Sequence, residues 1–421
     1  MRKALDIMVL LFMLTTLAFG LAGCDGNADQ EPTSLDAFVI EGTTLKGLTD
    51  YGQRLGSIVL PDTITTIGEY AFEDCTNLTS ITIPSSVTEI GKGAFQGCSG
   101  LINITIPNSV TKIGNWTFAD CTSLASVTIP NGVTEIGYEA FFCCYSLTNI
   151  TIPDTVTTIG EYAFEFCNSL TSITIPAGIT SIGESTFKDC TGLISVTIPD
   201  SVTVIGQKAF YRCEKLTSIT IPSSVTEIDN YTFEGCDNLT AVTYTGSIEQ
   251  WYAIGYVAPS TADITCTDGK AVFIIGKGTD DISVYGLTPY GEANCTEIVI
   301  PDGITSIGDW AFEDCTDLTS VTIPESVTSI GDYAFAGCTS LTSVTIPNSV
   351  TEIGKSAFSG CTVLDNITIP DSVTKIGNWT FSDCTSLTDI YVNQAKSTLL
   401  DSASVTKGCT IHWNSTGPES V

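Results

Sequence analysis

The chain has 421 residues, 47 of them acidic and 16 basic, for a formal net charge of −31. An excess of that sign repels phosphate backbones and anionic headgroups, which excludes nucleic acid as a partner. A single histidine, His412, and 17 cysteines without a CxxC pair give no metal motif, and with that histidine near the C-terminus neither a Ser/His triad nor a Cys/His dyad has an evident base along the rest of the chain.

At the N-terminus Arg2 and Lys3 precede an apolar run from Ile7 to Leu21, with the charge of Asp6 at its edge. The run is too short for a spanning helix and reads as an export signal. It closes on Leu21-Ala22-Gly23-Cys24, which resembles the lipobox of bacterial lipoproteins. The resemblance implies that residues 1–23 are removed and that Cys24 carries diacylglycerol, anchoring the chain to a membrane without spanning it. An ordinary secretory signal cut near the same place is the alternative. Residues 24–35 are polar and read as a flexible tether.

A strict repeat follows. Proline recurs every 23 residues from Pro61 to Pro222 and again from Pro301 to Pro370, giving blocks of eight and four units. Six residues after each proline stands Ile (Ile67 to Ile376), eleven after stands Phe (Phe72 to Phe381), and seventeen after stands Leu (Leu78 to Leu387). A period of this length means a solenoid, each unit leaving an apolar face open until the next stacks on it. In "LTSITIP" the alternation of Ile81 and Ile83 with Ser80 and Thr82 predicts a short strand. "SSVTEIG" predicts a second extended piece ending at a corner where φ > 0 is expected of the glycine. Asp229 replaces that glycine in one unit. "KGAFQGC" sets Phe95 and Cys98 three apart, as one helical or 3₁₀ turn would.

The pattern L-x-x-I-x-I-P-x-x-V-x-x-I-G-x-x-A-F-x-x-C is similar to the 23-residue BspA-type leucine-rich repeat, over residues 58–244 and 298–392. The resemblance implies a curved, right-handed, β-rich solenoid on a bacterial cell surface. It also implies a family with members that act as adhesins for host matrix proteins or other bacteria, and it supplies no catalytic residues.

Twelve cysteines, from Cys75 to Cys236 and from Cys315 to Cys384, lie in register fourteen residues after the proline. Stacked coils bring neighbours within disulfide distance, but their Cβ vectors run parallel, so a ladder of buried free thiols is expected. Cys143, Cys266, Cys295 and Cys409 lie off the ladder, and a Cys266–Cys295 bridge stays open.

Both blocks are preceded by a segment holding Leu-Thr-x-Tyr-Gly (48–52 and 287–291) and followed by one ending in a Cys-containing strand, as paired end caps would be. The division is therefore residues 36–269, a capped array of eight repeats, and residues 270–421, a capped array of four, with a candidate hinge at 268–272.

Two outward columns are candidate binding surfaces. The strand face carries Thr82, Thr105, Thr128, Thr151, Thr174, Thr197 and Thr220, whose stacked hydroxyls are expected to bond one another. Nine residues after the proline, an aromatic rim carries Tyr70, Trp116, Tyr162, Tyr231, Trp310, Tyr333 and Trp379, broken by Gly93, Glu139, Ser185, Lys208 and Ser356. Rings so placed suit protein or glycan partners. The reading is an exported, lipid-anchored, monomeric binding protein without cofactor or metal and not an enzyme, acting as an adhesin. An envelope or periplasmic scaffold binding a partner from the same cell is the alternative.

Overall fold

A computed structural model of the chain describes residues 34–278, 281–392, 405 and 408–413. It is a β-solenoid of about 15 turns with little helix. Each coil has three sides. The first is a strand such as Ser80–Thr82 or Asn103–Thr105, and the second a two-residue strand such as Glu89–Ile90 or Lys112–Ile113. Both sides stack in parallel register one period apart, Ile104 on Val127 and Ile113 on Ile136 for example. The inward Ile and Val of these strands, with the Leu, Phe and Cys columns, fill the core.

The third side differs from the helical turn expected. It is a run of β-turns, in the first coil Ala71 N to Gly68 O, Glu73 N to Tyr70 O and Cys75 N to Phe72 O. Positive φ recurs at two positions in all twelve units, nine and thirteen residues after the proline, as at Tyr70 (56°) and Asp74 (55°). A left-handed residue every fourth position stops a helix from growing. It leaves alternate N–H groups aimed at the next coil: Tyr70 N, Phe72 N and Asp74 N donate to Lys92 O, Ala94 O and Gln96 O at 2.8–2.9 Å. The side is thus a ladder between coils without being a strand.

The corner glycines also differ from expectation, since none of them has positive φ. They are needed because the corners stack backbone on backbone. A Cβ on Gly160 would lie 2.5 Å from Gly137 C, and one on Gly354 2.4 Å from Gly331 C. Asp229 likewise does not use the left-handed region.

Phe72 to Phe233 stack ring on ring, centroids 4.9–5.6 Å apart, and Phe312 to Phe381 repeat the arrangement at 5.1–5.8 Å. Offset rings at this spacing attract beyond their burial. Tyr256 closes the first stack edge-on, 5.9 Å from Phe233, and its hydroxyl accepts from Phe233 N at 3.1 Å where a further coil would offer a carbonyl. Phe273 sits edge-on to Phe312 and closes the second.

The closing segment of the eight-unit block contains the helix Ile248–Ile254, with Ser247 and Gln250 forming a capping box and Gly255 left-handed at its end. An antiparallel hairpin precedes each block, Phe38–Glu41 with Thr44–Leu48 and Phe273–Lys277 with Ile282–Leu287. Buried residues form two clusters, Leu45 to Ala271 and Phe273 to Val392, and Tyr252 packs against both.

Candidate binding surfaces

The ladder cysteines of the described chain are free, and so are Cys266 and Cys295, so the bridge left open between them does not form. From the second coil of each block onward, every ladder thiol has a defined partner. Cys98 Sγ donates to Phe72 O at 3.0 Å, Cys190 to Phe164 O at 3.1 Å and Cys384 to Phe358 O at 3.0 Å. Burial pushes these thiols up, Cys384 to about 12, so they are poor nucleophiles and poor metal ligands. Among the described residues, no group of three or more His, Cys, Asp or Glu converges as a metal site would require. His412 Nε2 faces Asp389 Oδ1 at 2.7 Å and draws that carboxyl below its ordinary range.

On the strand face, the seven predicted Thr are all exposed and lie in register where strands pair, Thr105 with Thr128 and Thr174 with Thr197. The face is divided into short sheets of two to four strands. The hydroxyl ladder expected there forms at Ser80 and Ser57 (2.9 Å). Elsewhere the hydroxyls on neighbouring positions turn to backbone carbonyls, as Thr79 does to Gly56 O at 2.7 Å.

The aromatic rim owes its direction to the left-handed turn. Every rim ring stands at one of the positive-φ positions, φ 55–62°, two residues before the inward Phe, and so projects from the coil while the Phe enters the core. Tyr231, Trp310 and Trp379 are 53%, 56% and 48% exposed. Tyr70, Trp116, Tyr162 and Tyr333 are half-buried by their neighbours.

Those neighbours include the residues that interrupt the column in sequence. Lys92 Nζ stands 4.3 Å from the Trp116 ring centre and 5.8 Å from that of Tyr70. Lys355 stands 5.1 Å from Trp379 and 5.4 Å from Tyr333, and Lys208 5.9 Å from Tyr231. Trp116 Nε1 donates to Glu139 Oε2 at 3.0 Å. Tyr162 donates to Glu184 Oε1 at 2.6 Å, a bond that pushes its hydroxyl up. Trp310 and Tyr333 stack at 6.1 Å. The rim is therefore an alternation of rings and charges, fixed by cation–π contacts and hydrogen bonds. These partners escape a reading of one column at a time; the signal is a Lys or Glu eight or nine residues after the proline of an adjacent unit.

Residues 1–33, which include Cys24, the predicted signal and most of the tether, lie outside the described residues. Among the described residues no helix is long and apolar enough to cross a membrane.

A family model for the BspA type leucine rich repeat region, in six copies, matches residues 50–171, 157–255 and 288–409, more than half of the chain. Among solved structures, a leucine-rich repeat protein from Bacteroides ovatus ATCC 8483 is 29% identical, over 89% of this chain and 97% of that one, with a TM-score of 0.54. A leucine rich cell surface protein from Faecalibacterium prausnitzii A2-165 is 28% identical, over 93% and 97%, with a TM-score of 0.41. No curated protein matches the chain.

Proposed function

Because the chain belongs to the BspA-type leucine-rich repeat family, we propose that it is a lipid-anchored bacterial surface protein that binds a protein or glycan partner, an adhesin without catalytic activity. The family's members are often surface proteins, and the repeat is a binding or scaffold fold. Attachment through Cys24 follows from the lipobox resemblance.

The observation that carries the reading is the rim. Every Phe of the core stack is shut in, yet Trp310 and Trp379 keep about half their surface open. Lys355 fixes Tyr333 and Trp379 from one side. Rigid, half-open aromatic side chains are the residues that dominate interfaces, because they offer area at little entropic cost.

The test is binding of the full-length chain in detergent to an array of matrix proteins and glycans, beside a Trp310→Ala/Trp379→Ala variant. A loss of tenfold or more in the variant is expected for a matrix-protein partner. Unchanged binding would move the site to the Thr face. Arrays that resist protease added to intact cells would favour the envelope scaffold.

A further inference from the structure

Where the first block of coils ends, the repeating rim gives way to a cleft of about 630 Å³, a size typical of small-ligand sites. Its floor is the closed end of the core, Phe233 with Tyr256 edge-on against it and bonded to its amide. Its walls come from three places: Tyr231 of the last repeat, Val257 of the closing segment, and Tyr285 of the hairpin that begins the second block. Each wall side chain is about half exposed.

Gly276, on the same hairpin, makes the arrangement fit. A Cβ there would lie 2.5 Å from Val257 Cγ2 and 2.7 Å from Tyr285 Cε2. Without it the two walls close over the hairpin backbone. The cleft is incomplete without either half of the chain.

The lining chemistry selects the ligand. Glu234 and Asp237 are its charged groups, and no Lys or Arg lines it, so phosphate, sulfate and acidic sugars are repelled. A purely aliphatic peptide would desolvate those carboxylates without pairing them. A cation gains less than the aromatic walls suggest, because Lys208 already stands 5.9 Å from the Tyr231 ring. What remains open is flat ring surface beside hydrogen-bond acceptors. A neutral sugar matches both at once, its C–H face against tyrosine and its hydroxyls donating to carboxylate.

We propose that this junction cleft binds a neutral saccharide, with Tyr231 and Tyr285 as stacking walls and Glu234 and Asp237 as acceptors. The proposal rests on the glycan reading of the surface given above and assigns it a location that the rim tryptophans do not share.

The test is binding of the full-length chain in detergent to an array of neutral oligosaccharides built on glucose, galactose, mannose and N-acetylglucosamine, with pentalysine as the cationic probe. The variants are Tyr285→Ala, Glu234→Gln and the pair Trp310→Ala/Trp379→Ala, each checked by its melting temperature. Expected is binding to at least one neutral oligosaccharide, weakened tenfold or more by Tyr285→Ala and by Glu234→Gln at unchanged melting temperature, and unaffected by the tryptophan pair. Absence of binding to every neutral oligosaccharide overturns the proposal, as does binding indifferent to both cleft variants. Binding lost only in the tryptophan pair overturns the cleft and leaves the rim reading standing. Pentalysine bound in preference, and lost in Glu234→Gln, makes the site one for basic peptides and overturns the saccharide.

Discussion

Cys167 illustrates how much one buried atom is asked to do. Its Sγ donates to Phe141 O at 3.3 Å, a carbonyl that also accepts Cys144 N at 3.2 Å. The thiol is thus a bond between coils as well as a filler of space. Burial pushes Cys75 and Cys315 up from the ordinary 9.0 to about 11, and Cys144 and Cys167 well above it. The folded chain therefore holds these protons to higher pH than the unfolded chain does. Their contribution to stability is complete below pH 9 and is lost as pH rises from 9 through 11 and beyond, at about 1.4 kcal/mol per pH unit for each fully buried thiol. The melting temperature should accordingly fall steeply above pH 9. In Cys121→Ala/Cys144→Ala/Cys167→Ala the fall should be shallower by three thiols' worth, although the variant melts lower at pH 7 through its lost bonds and cavities. Parallel pH profiles for the two proteins would remove the thiols from the alkaline transition. The cysteine column is plain in the sequence; the bond is not, because its acceptor lies 26 residues back and becomes a neighbour only when coils stack.

The corner is the element on which that stacking turns. Gly160 meets the backbone of Gly137 and Tyr138, where a Cβ would stand 2.5 Å from atoms that cannot rotate away, whereas a Cβ on Gly114 would have Thr117 Oγ1 at 3.5 Å as its nearest contact. Gly160→Ala should therefore cost about 2 kcal/mol or more, and Gly114→Ala under about 1 kcal/mol. Denaturant midpoints of the two variants, measured side by side, decide it; equal losses would mean that the corners yield as freely as side chains do. The strands, the core columns and the period are all legible because each apolar contact is repeated twelve times at fixed spacing. The turn side is misread as helical because Phe95 and Cys98 three apart fit that period too. The corrective signal is also in the sequence: thirteen residues after the proline stands Asp or Gly in every unit except those of Cys143, Phe166 and Arg212, the residues that most readily accept positive φ. The corner glycines carry the opposite lesson, since close approach and positive φ leave the same letter in a sequence.

At the scale of the whole molecule, one side chain among the described residues packs against both core clusters. Tyr252, from the closing helix of the first block, accepts at its hydroxyl from Val272 N at 3.0 Å and Phe273 N at 3.2 Å. Its ring lies 6.2 Å from Phe273, the ring that caps the second Phe stack. Around it, Ala271 N donates to Ile264 O at 2.9 Å, Thr288 Oγ1 to Ala271 O at 2.8 Å, and Tyr290 N to Asp263 Oδ1 at 2.9 Å. The segment 268–272, a candidate hinge by its place between two blocks, is thus bonded on both sides. In a solenoid the stability of the whole is a sum of units and nearest-neighbour interfaces, so two blocks unfold together only if the interface between them is worth enough. Tyr252→Phe keeps the ring and removes the acceptor, leaving two amides unpaired at about 1 kcal/mol or more each. The expected outcome is faster hydrogen exchange at Val272 and Phe273 and a urea transition that splits into two steps, the four-unit block melting first because it has fewer interfaces to lose. A single unchanged transition with unchanged exchange would mean that the blocks are coupled by the backbone bonds alone. In that case the junction cleft, built from both blocks, would keep its shape without the tyrosine.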